Sequence, residues 1–262
     1  MKIAVLIKQV PSSEAKIRVG GDGRSIDTDG VEYVVNPYDE FAVEAALQAK
    51  EKFGGEVVVF GLGGDKVEES LRQCLALGAD QAVVLRDAAF QGSDSLGVAR
   101  ILAAAVKSAE PNLVFCGKVG IDRDDAAVGV MVAELLGMPH VSVVTELEWT
   151  DESHCKVGRE IEGGSETLEV TLPAVLTANK GLNEPRYASL KGIMMAKKKP
   201  MEVKDAAALG IDASTVGSGA ALTNVVKMEP PAERTAGKMI QGDAAQMVQE
   251  LVRMLKDEAK VL

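Results

Sequence analysis

The sequence predicts an α/β fold: a doubly wound, mostly parallel sheet with an added antiparallel portion and an extended C-terminal arm that ends in a helix. Three observations carry this. Apolar runs near residues 2–7, 56–62, 81–85 and 113–116 alternate with helical patterns near 38–53, 65–77, 94–108 and 125–136, the rhythm of βαβ units. The runs are apolar almost without interruption, as in strands covered on both faces. After Pro139 the pattern changes to partial alternation, and after residue 200 it loses periodicity.

Each element has its own signal. Residues 2–7 are a buried strand followed by the loop Lys8-Gln9-Val10-Pro11-Ser12-Ser13, which has no glycine-rich phosphate motif. A polar hairpin over about 17–30 turns at Gly20-Gly21-Asp22-Gly23. Asn36 suits a helix cap and Pro37 the first helical turn. Phe41, Ala45 and Ala49 form one stripe of that helix, with Val43 and Leu47 beside it. Gly54-Gly55 ends it. Gly63-Gly64-Asp65 opens the helix after strand 56–62, and Ser93-Asp94-Ser95 caps the one after strand 81–85. Residues 141–149, 155–161 and 167–172 read as half-exposed antiparallel strands with turns at Asp151-Glu152 and 162–165. Pro173-Ala174-Val175-Leu176-Thr177 is a short buried strand.

Residues 200–240 contain Pro200, Pro230 and Pro231 and read as an extended arm. The last helix, 243–262, sets Met247, Leu251, Met254 and Leu255 on one face. The arm either returns to its own domain or embraces a partner; an arm of that length is uncommon in a compact domain, which favours the partner. The division follows: 1–200 as an α/β domain, and 201–262 as arm and terminal helix.

Composition narrows the function. The 262 residues are 47% hydrophobic and 3% aromatic, with a formal net charge of −10. The acidic balance argues against nucleic acid as the main partner. Cys74, Cys116 and Cys155 are scattered, make no metal spacing and suggest a reducing compartment. The N-terminus has no signal-peptide pattern, and no apolar run approaches the roughly 20 residues of a membrane span. These point to a soluble protein without membrane insertion, cytoplasmic or in an equivalent interior compartment. His140 and His154 read as structural or solvated, and Trp149 as packing. No nucleophile–His–acid set and no metal cluster stands out, so no catalytic or metal-ligating residue is assigned.

The chemistry concentrates in residues 112–129, Asn-Leu-Val-Phe-Cys-Gly-Lys-Val-Gly-Ile-Asp-Arg-Asp-Asp-Ala-Ala-Val-Gly. A strand leads through Gly117 and Gly120 to a helix expected over 126–136, with Asp122, Asp124 and Asp125 at its N-terminus. Such a strand–turn–helix can cradle phosphate on free backbone N–H groups. Taken alone, it also fits an ordinary strand-to-helix connection. The loop after Leu6 and the Gly61-Leu62-Gly63 turn fall at the same end of the expected sheet, where ligands bind in such folds.

Several separate segments resemble one family. They are Val157-Gly158-Arg159-Glu160-Ile161-Glu162-Gly163-Gly164-Ser165-Glu166-Thr167-Leu168, then Pro173-Ala174-Val175-Leu176-Thr177. Leu182-Asn183-Glu184-Pro185-Arg186-Tyr187-Ala188-Ser189-Leu190 and Ala196-Lys197-Lys198-Lys199 follow, with Asn36-Pro37-Tyr38, 75–80 and 117–129 in place. The chain thus resembles the beta (small) subunit of electron transfer flavoprotein over nearly its whole length. The resemblance implies a heterodimer whose alpha subunit holds most of the redox-active FAD. It implies an electron carrier rather than an enzyme, passing electrons from acyl-CoA-type dehydrogenases of fatty acid oxidation to a membrane quinone oxidoreductase. The cofactor would supply the chemistry and the protein its binding and orientation.

By the same resemblance a structural AMP is expected at Leu6, Asn36, Pro37, Tyr38, Asp39, Leu62, Gly117, Lys118, Val119, Gly120, Ile121, Asp122, Arg123, Asp124, Asp125, Ala126, Ala127 and Val128. The family usually has polar residues where Ala126-Ala127-Val128 stand here, which leaves the backbone contacts to hold the nucleotide. Electron-bifurcating relatives hold a second FAD in this place and use NADH. They share Asn36-Pro37-Tyr38-Asp39, whereas 183–187 resembles the non-bifurcating branch, which favours AMP. Tyr38 matches an aromatic near the isoalloxazine of the alpha-bound FAD, or is a helix-start packing residue. Glu160 matches an acid that contacts the mobile FAD domain, or is a solvated strand charge. The resemblance makes 1–200 a nucleotide-binding domain that includes a docking segment at 182–199, in which Leu190 matches an anchor for the dehydrogenase, with Ile193 and Met194 beside it, or packs on its own sheet. Lys197, Lys198 and Lys199 either steer acidic partners or form a solvated face. An ATP-binding regulatory domain of the same α/β shape is the alternative of another class; it lacks both the arm and the 157–199 motif.

Overall fold

The structure, a computed structural model, describes residues 1–232 and 236–262; residues 233–235, within the expected arm, lie outside the described residues. The chain begins with strand β1 (Lys2–Ile7) and the short β2 (Gln9–Pro11), which pairs antiparallel with β3 (Tyr33–Val35). Helix α1 (Pro37–Phe53) leads to β4 (Glu56–Leu62), α2 (Asp65–Leu77), β5 (Gln81–Leu85), α3 (Ser95–Lys107), β6 (Leu113–Gly117) and α4 (Val128–Leu136). Then come β7 (His140–Trp149), β8 (His154–Ile161), β9 (Gly164–Thr171) and β10 (Ala174–Ala178). Helix α5 (Leu190–Ala196), strand β11 (Met201–Lys204) and helix α6 (Ala244–Arg253) complete the chain.

Nine strands form one sheet in the order β11-β5-β4-β1-β6-β10-β7-β8-β9. The six strands from β11 to β10 are parallel, and β7 runs parallel to β10, while β8 and β9 add an antiparallel meander. Alternate side chains of a strand face opposite sides, and here both sides are apolar. Ile3, Val5, Val57, Val59, Leu113 and Phe115 meet α1 and α2 on one face. Ala4, Leu6, Val58, Phe60, Val114 and Cys116 meet α3 and α4 on the other. The alanines of α1, Ala42, Ala45, Ala46 and Ala49, are buried and let that helix lie close to the sheet.

Three features depart from the sequence reading. Residues 9–11 and 33–35 form the β2–β3 ribbon rather than loop; each strand is three residues, too short for a periodic signal. The arm expected from residue 201 first joins the sheet: β11 pairs with β5, Ala206 and Val216 are buried, and the Leu222 and Thr223 N–H groups donate to Asp94. Beyond residue 223 the described residues are mostly exposed, with Met228 N–H donating to the Gly23 carbonyl. Helix α4 starts at Val128 rather than 126, because Asp124 (φ 57°) and Ala126 (φ 49°) sit in the left-handed region that a helix excludes. Helix α6 buries none of its residues, and Met247, Val248, Leu251 and Val252 form an exposed apolar stripe. No helix of the described residues is long and apolar enough to cross a membrane.

Candidate functional site

The carboxyl ends of β1 and β6 lie side by side, since Leu6 and Cys116 are register partners. A cavity of about 270 Å³ opens there, between the N-terminal ends of α3 and α4. Leu6, Asn36, Asp39, Leu62, Gly117, Lys118, Val119, Gly120, Arg123, Asp125, Ala126, Ala127 and Val128 line it. The fold thus brings most of the expected nucleotide positions to one place. Pro37, Tyr38, Ile121, Asp122 and Asp124 stand outside the lining. Pro37 faces a hollow on the far side of α1, Ile121 is exposed, and Asp124 borders a second cavity of about 260 Å³ behind the loop. Tyr38 lies under Lys118, whose Nζ is 5.2 Å from the ring centroid.

The loop 117–127 keeps its shape because five residues outside it, Lys8, Asn36, Asp39, Ser95 and Ala178, hold it. Asn36 stands at the N-cap position of α1, but its side chain does not cap that helix. Its Nδ2 donates to the Val119 carbonyl at 2.9 Å, and its Oδ1 accepts from Ile121 N–H at 3.2 Å. Asp39, 4% exposed, accepts from Lys8 N–H at 2.7 Å and from Gly117 N–H at 2.8 Å. One carboxyl therefore ties the ends of β1 and β6 to the first turn of α1. Burial pushes Asp39 up to about 7, against the pull of the Lys8 N–H, Asn36 and Gly117 N–H groups and of the Lys8 charge. Lys8 Nζ pairs with Asp122 at 2.7 Å, Ser95 Oγ donates to Asp125 at 3.0 Å, and Lys118 N–H donates to the Ala178 carbonyl. The acidic residues expected to favour the helix N-terminus are thus spent on the loop. Asp122 and Asp125 pin it, and among the described residues no side chain caps the N-terminus of α4.

Two glycines allow this closeness. A Cβ on Gly117 would collide with Asp39 Oδ1 and approach Tyr38 Cβ within 2.7 Å. A Cβ on Gly129 would meet Cys116 Sγ at 2.5 Å, so this glycine lets the start of α4 press onto β6. The site then offers uncapped helix amides, cationic Lys8 and Arg123, and an apolar wall of Leu6, Leu62, Val98 and Leu102. Amides and cations suit an anion; the apolar wall suits a flat ring. The residues present therefore fit a nucleotide. Ile7, Lys8, Ser95, Val98, Leu102, Cys116 and Gly129 also line the cavity and were not expected. The Ser93-Asp94-Ser95 cap signal, read as placing the start of α3 at the strand ends, would have pointed to Ser95. Nothing in the sequence marks Val98 or Leu102. Cys116 is a buried thiol pushed up by desolvation, so it reads as wall rather than nucleophile.

The docking candidates form a separate surface. Leu190, Ile193 and Met194 lie on α5, with Leu190 83% and Met194 71% exposed. None of them packs on the sheet. Glu160, near the end of β8, accepts from Asn179 Nδ2 at 2.9 Å. Of the three lysines, Lys197 and Lys198 are exposed, but Lys199 Nζ donates to the Leu75 and Ala79 carbonyls at the end of α2. It is a helix C-cap, not part of a solvated face. Among the described residues no three His, Cys, Asp or Glu side chains gather as a metal site.

Comparison with known proteins gives a consistent answer. The electron transfer flavoprotein domain matches residues 24–209. The chain is 38% identical to the electron transfer flavoprotein subunit beta of Bacillus subtilis over 263 residues, covering 100% of both chains. It is 38% identical to that of Mus musculus over 265 residues, covering 100% of this chain and 99% of the other. It is also 38% identical over 261 residues to a subunit of the caffeyl-CoA reductase–Etf complex of Acetobacterium woodii, covering 98% and 99%.

Proposed function

The chain belongs to the electron transfer flavoprotein family as a beta subunit, and we propose on that premise that it pairs with an alpha subunit to carry electrons from acyl-CoA-type dehydrogenases of fatty acid oxidation to a membrane quinone oxidoreductase. The alpha subunit would hold most of the FAD, and the complex would work in the cytoplasm. Full-length similarity to electron transfer flavoprotein beta subunits supports this reading over an ATP-binding regulatory domain. The proposed work of this chain is to bind, orient and dock.

The observation that carries the reading of the cavity is its size and lining. About 270 Å³ lies just below the roughly 300–1,000 Å³ of small-ligand pockets. That favours a mononucleotide, AMP, over a second FAD. Its phosphate would lie against the first-turn amides of α4 near Lys8 and Arg123. Its adenine would lie against Leu6, Leu62 and Val98, with Asp39 and Asn36 keeping the loop in place. This role is structural: the nucleotide would fill the strand ends and fix loop 117–127. Lys118 and Tyr38, stacked at the rim, would face the flavin held by the alpha subunit.

The exposed stripe of α6 would pack on the alpha subunit, since that helix buries none of its own residues, and the arm beyond residue 223 would carry it there. Glu160 would meet its mobile flavin domain. Leu190, Ile193 and Met194 would meet the dehydrogenase, with Leu190 as the anchor. The second reading, a bifurcating subunit with a second FAD reduced by NADH, draws support from the cavity of about 260 Å³ that shares Lys118, Val119, Ala126 and Gly129 with the first. Mixing the coexpressed complex with an acyl-CoA dehydrogenase and its acyl-CoA, and separately with NADH, separates the two. Flavin bleaching by the dehydrogenase alone is expected. Bleaching by NADH would replace the carrier reading with the bifurcating one.

A further inference from the structure

The surface carrying Leu190 is held in a preset shape from beneath. Arg186 inserts between two carboxylates of α1. Its Nε donates to Glu44 at 2.7 Å and its Nη2 to the other Glu44 oxygen at 3.0 Å. The same guanidinium reaches both oxygens of Glu51, with Nη2 at 3.1 Å from one of them. The Glu44 side chain is only 6% exposed, Arg186 is half-buried and Glu51 is exposed, so the guanidinium links a buried carboxylate to one at the surface. Just ahead of it, Asn183 Nδ2 donates to the Phe41 carbonyl at 2.9 Å. At the far end, Arg72 Nη1 donates to the Ala196 carbonyl at 2.7 Å, and Lys199 caps α2. Midway, a Cβ on Gly192 would collide with the Ala76 carbonyl oxygen, so α5 lies directly on the end of α2. Between these anchors Tyr187, 97% exposed, Leu190 and Met194 point away from the body.

A segment that must order itself on binding loses affinity to entropy, and one that is already ordered does not. A planar guanidinium reaching two carboxylates is a fork that an ammonium cannot reproduce. We propose that Arg186 is a positioning residue: by bridging Glu44 and Glu51 it fixes residues 183–196 against α1 and α2, so that Tyr187 and Leu190 meet the electron donor already in place. This rests on the docking role of Leu190 proposed above.

Arg186→Lys tests it, because lysine keeps the charge beside Glu44 and loses only the fork. Gly192→Ala is a second variant that disturbs a different anchor. Both are made in the coexpressed complex with the alpha subunit. Amide hydrogen exchange is read over residues 187–196, and flavin reduction by medium-chain acyl-CoA dehydrogenase with octanoyl-CoA is read as a function of donor concentration. In Arg186→Lys the exchange of 187–196 should rise at least tenfold and the half-saturating donor concentration about tenfold. The limiting rate, the extracted nucleotide and the pairing with the alpha subunit should stay as in wild type. Wild-type exchange and half-saturation in both variants would overturn the proposal. Leu190→Ala in the same assay separates the two ideas. If it raises half-saturation and Arg186→Lys does not, the positioning role fails and the docking reading stands. If Leu190→Ala changes nothing, both fall together.

Discussion

Replacing Asp39 by Asn separates the charge of the buried carboxyl from its shape. Each oxygen accepts one backbone N–H, from Lys8 and from Gly117. Burial raises the carboxyl from 3.8 to about 7. The folded chain therefore holds this proton more tightly than the unfolded chain does. Its contribution to stability is fully present below about pH 4 and is lost as pH rises towards 7. A rise of about three units amounts to about 4 kcal/mol at 1.36 kcal/mol per unit, of which about 2.5 kcal/mol falls between pH 5 and pH 8. Asn cannot ionise and should not show the fall. It keeps one acceptor and turns an NH₂ towards the other N–H, a cost of about 1–3 kcal/mol that pH does not change. Urea unfolding of both proteins at pH 5 and pH 8 provides the assay, and subtracting one from the other cancels the titrations they share. The difference should move by about 2.5 kcal/mol in favour of Asn between the two pH values. Equal pH dependence in the two proteins would refute the reasoning, and a shift favouring Asp at high pH would mean that the two N–H groups outweigh burial.

Gly117→Ala should destabilise the chain by about 1–3 kcal/mol through overpacking against Asp39 and Tyr38, seen in chemical unfolding, and should strip the nucleotide from the purified complex. Leu190→Ala removes apolar carbons worth about 2 kcal/mol if the residue becomes buried in a complex, or about 30-fold in half-saturating donor. Because Leu190 is exposed in the chain itself, the melting temperature should not change. Deleting residues 240–262 should leave the unfolding of the α/β body unchanged, since α6 buries nothing, and should abolish copurification with the alpha subunit.

The fold was legible because its strands are buried on two faces. Runs such as Ile3-Ala4-Val5-Leu6 and Val57-Val58-Val59-Phe60 have no polar interruption, and glycine pairs punctuate the helices between them. The antiparallel meander was legible from alternation, and the buried strand after Pro173 from its composition. β11 was not, because four residues, Met-Glu-Val-Lys, carry no period; it joins the sheet through its backbone, as where Arg86 N–H meets the Lys204 carbonyl. The candidate site was legible where turn chemistry marks it, at Gly117, Gly120 and the Asn36-Pro37-Tyr38-Asp39 helix start. Its wall was not. Val98 and Leu102 belong to an apolar helix, and only three-dimensional packing decides which of those residues reach past the sheet. The start of α4 was misplaced because a positive φ at an alanine has no residue-type signature. Arg186 and Lys199 look like ordinary surface charges in sequence and become anchors only once α1 and α2 are laid beside them.

The claim on which the rest depends is that this chain pairs with a flavin-bearing subunit while lodging a mononucleotide at the ends of β1 and β6. The most direct measurement is to coexpress and purify the complex, denature it, and quantify every nucleotide released per heterodimer. One AMP and one FAD are expected. Two FAD without AMP, or a chain that purifies alone and empty, would contradict the account.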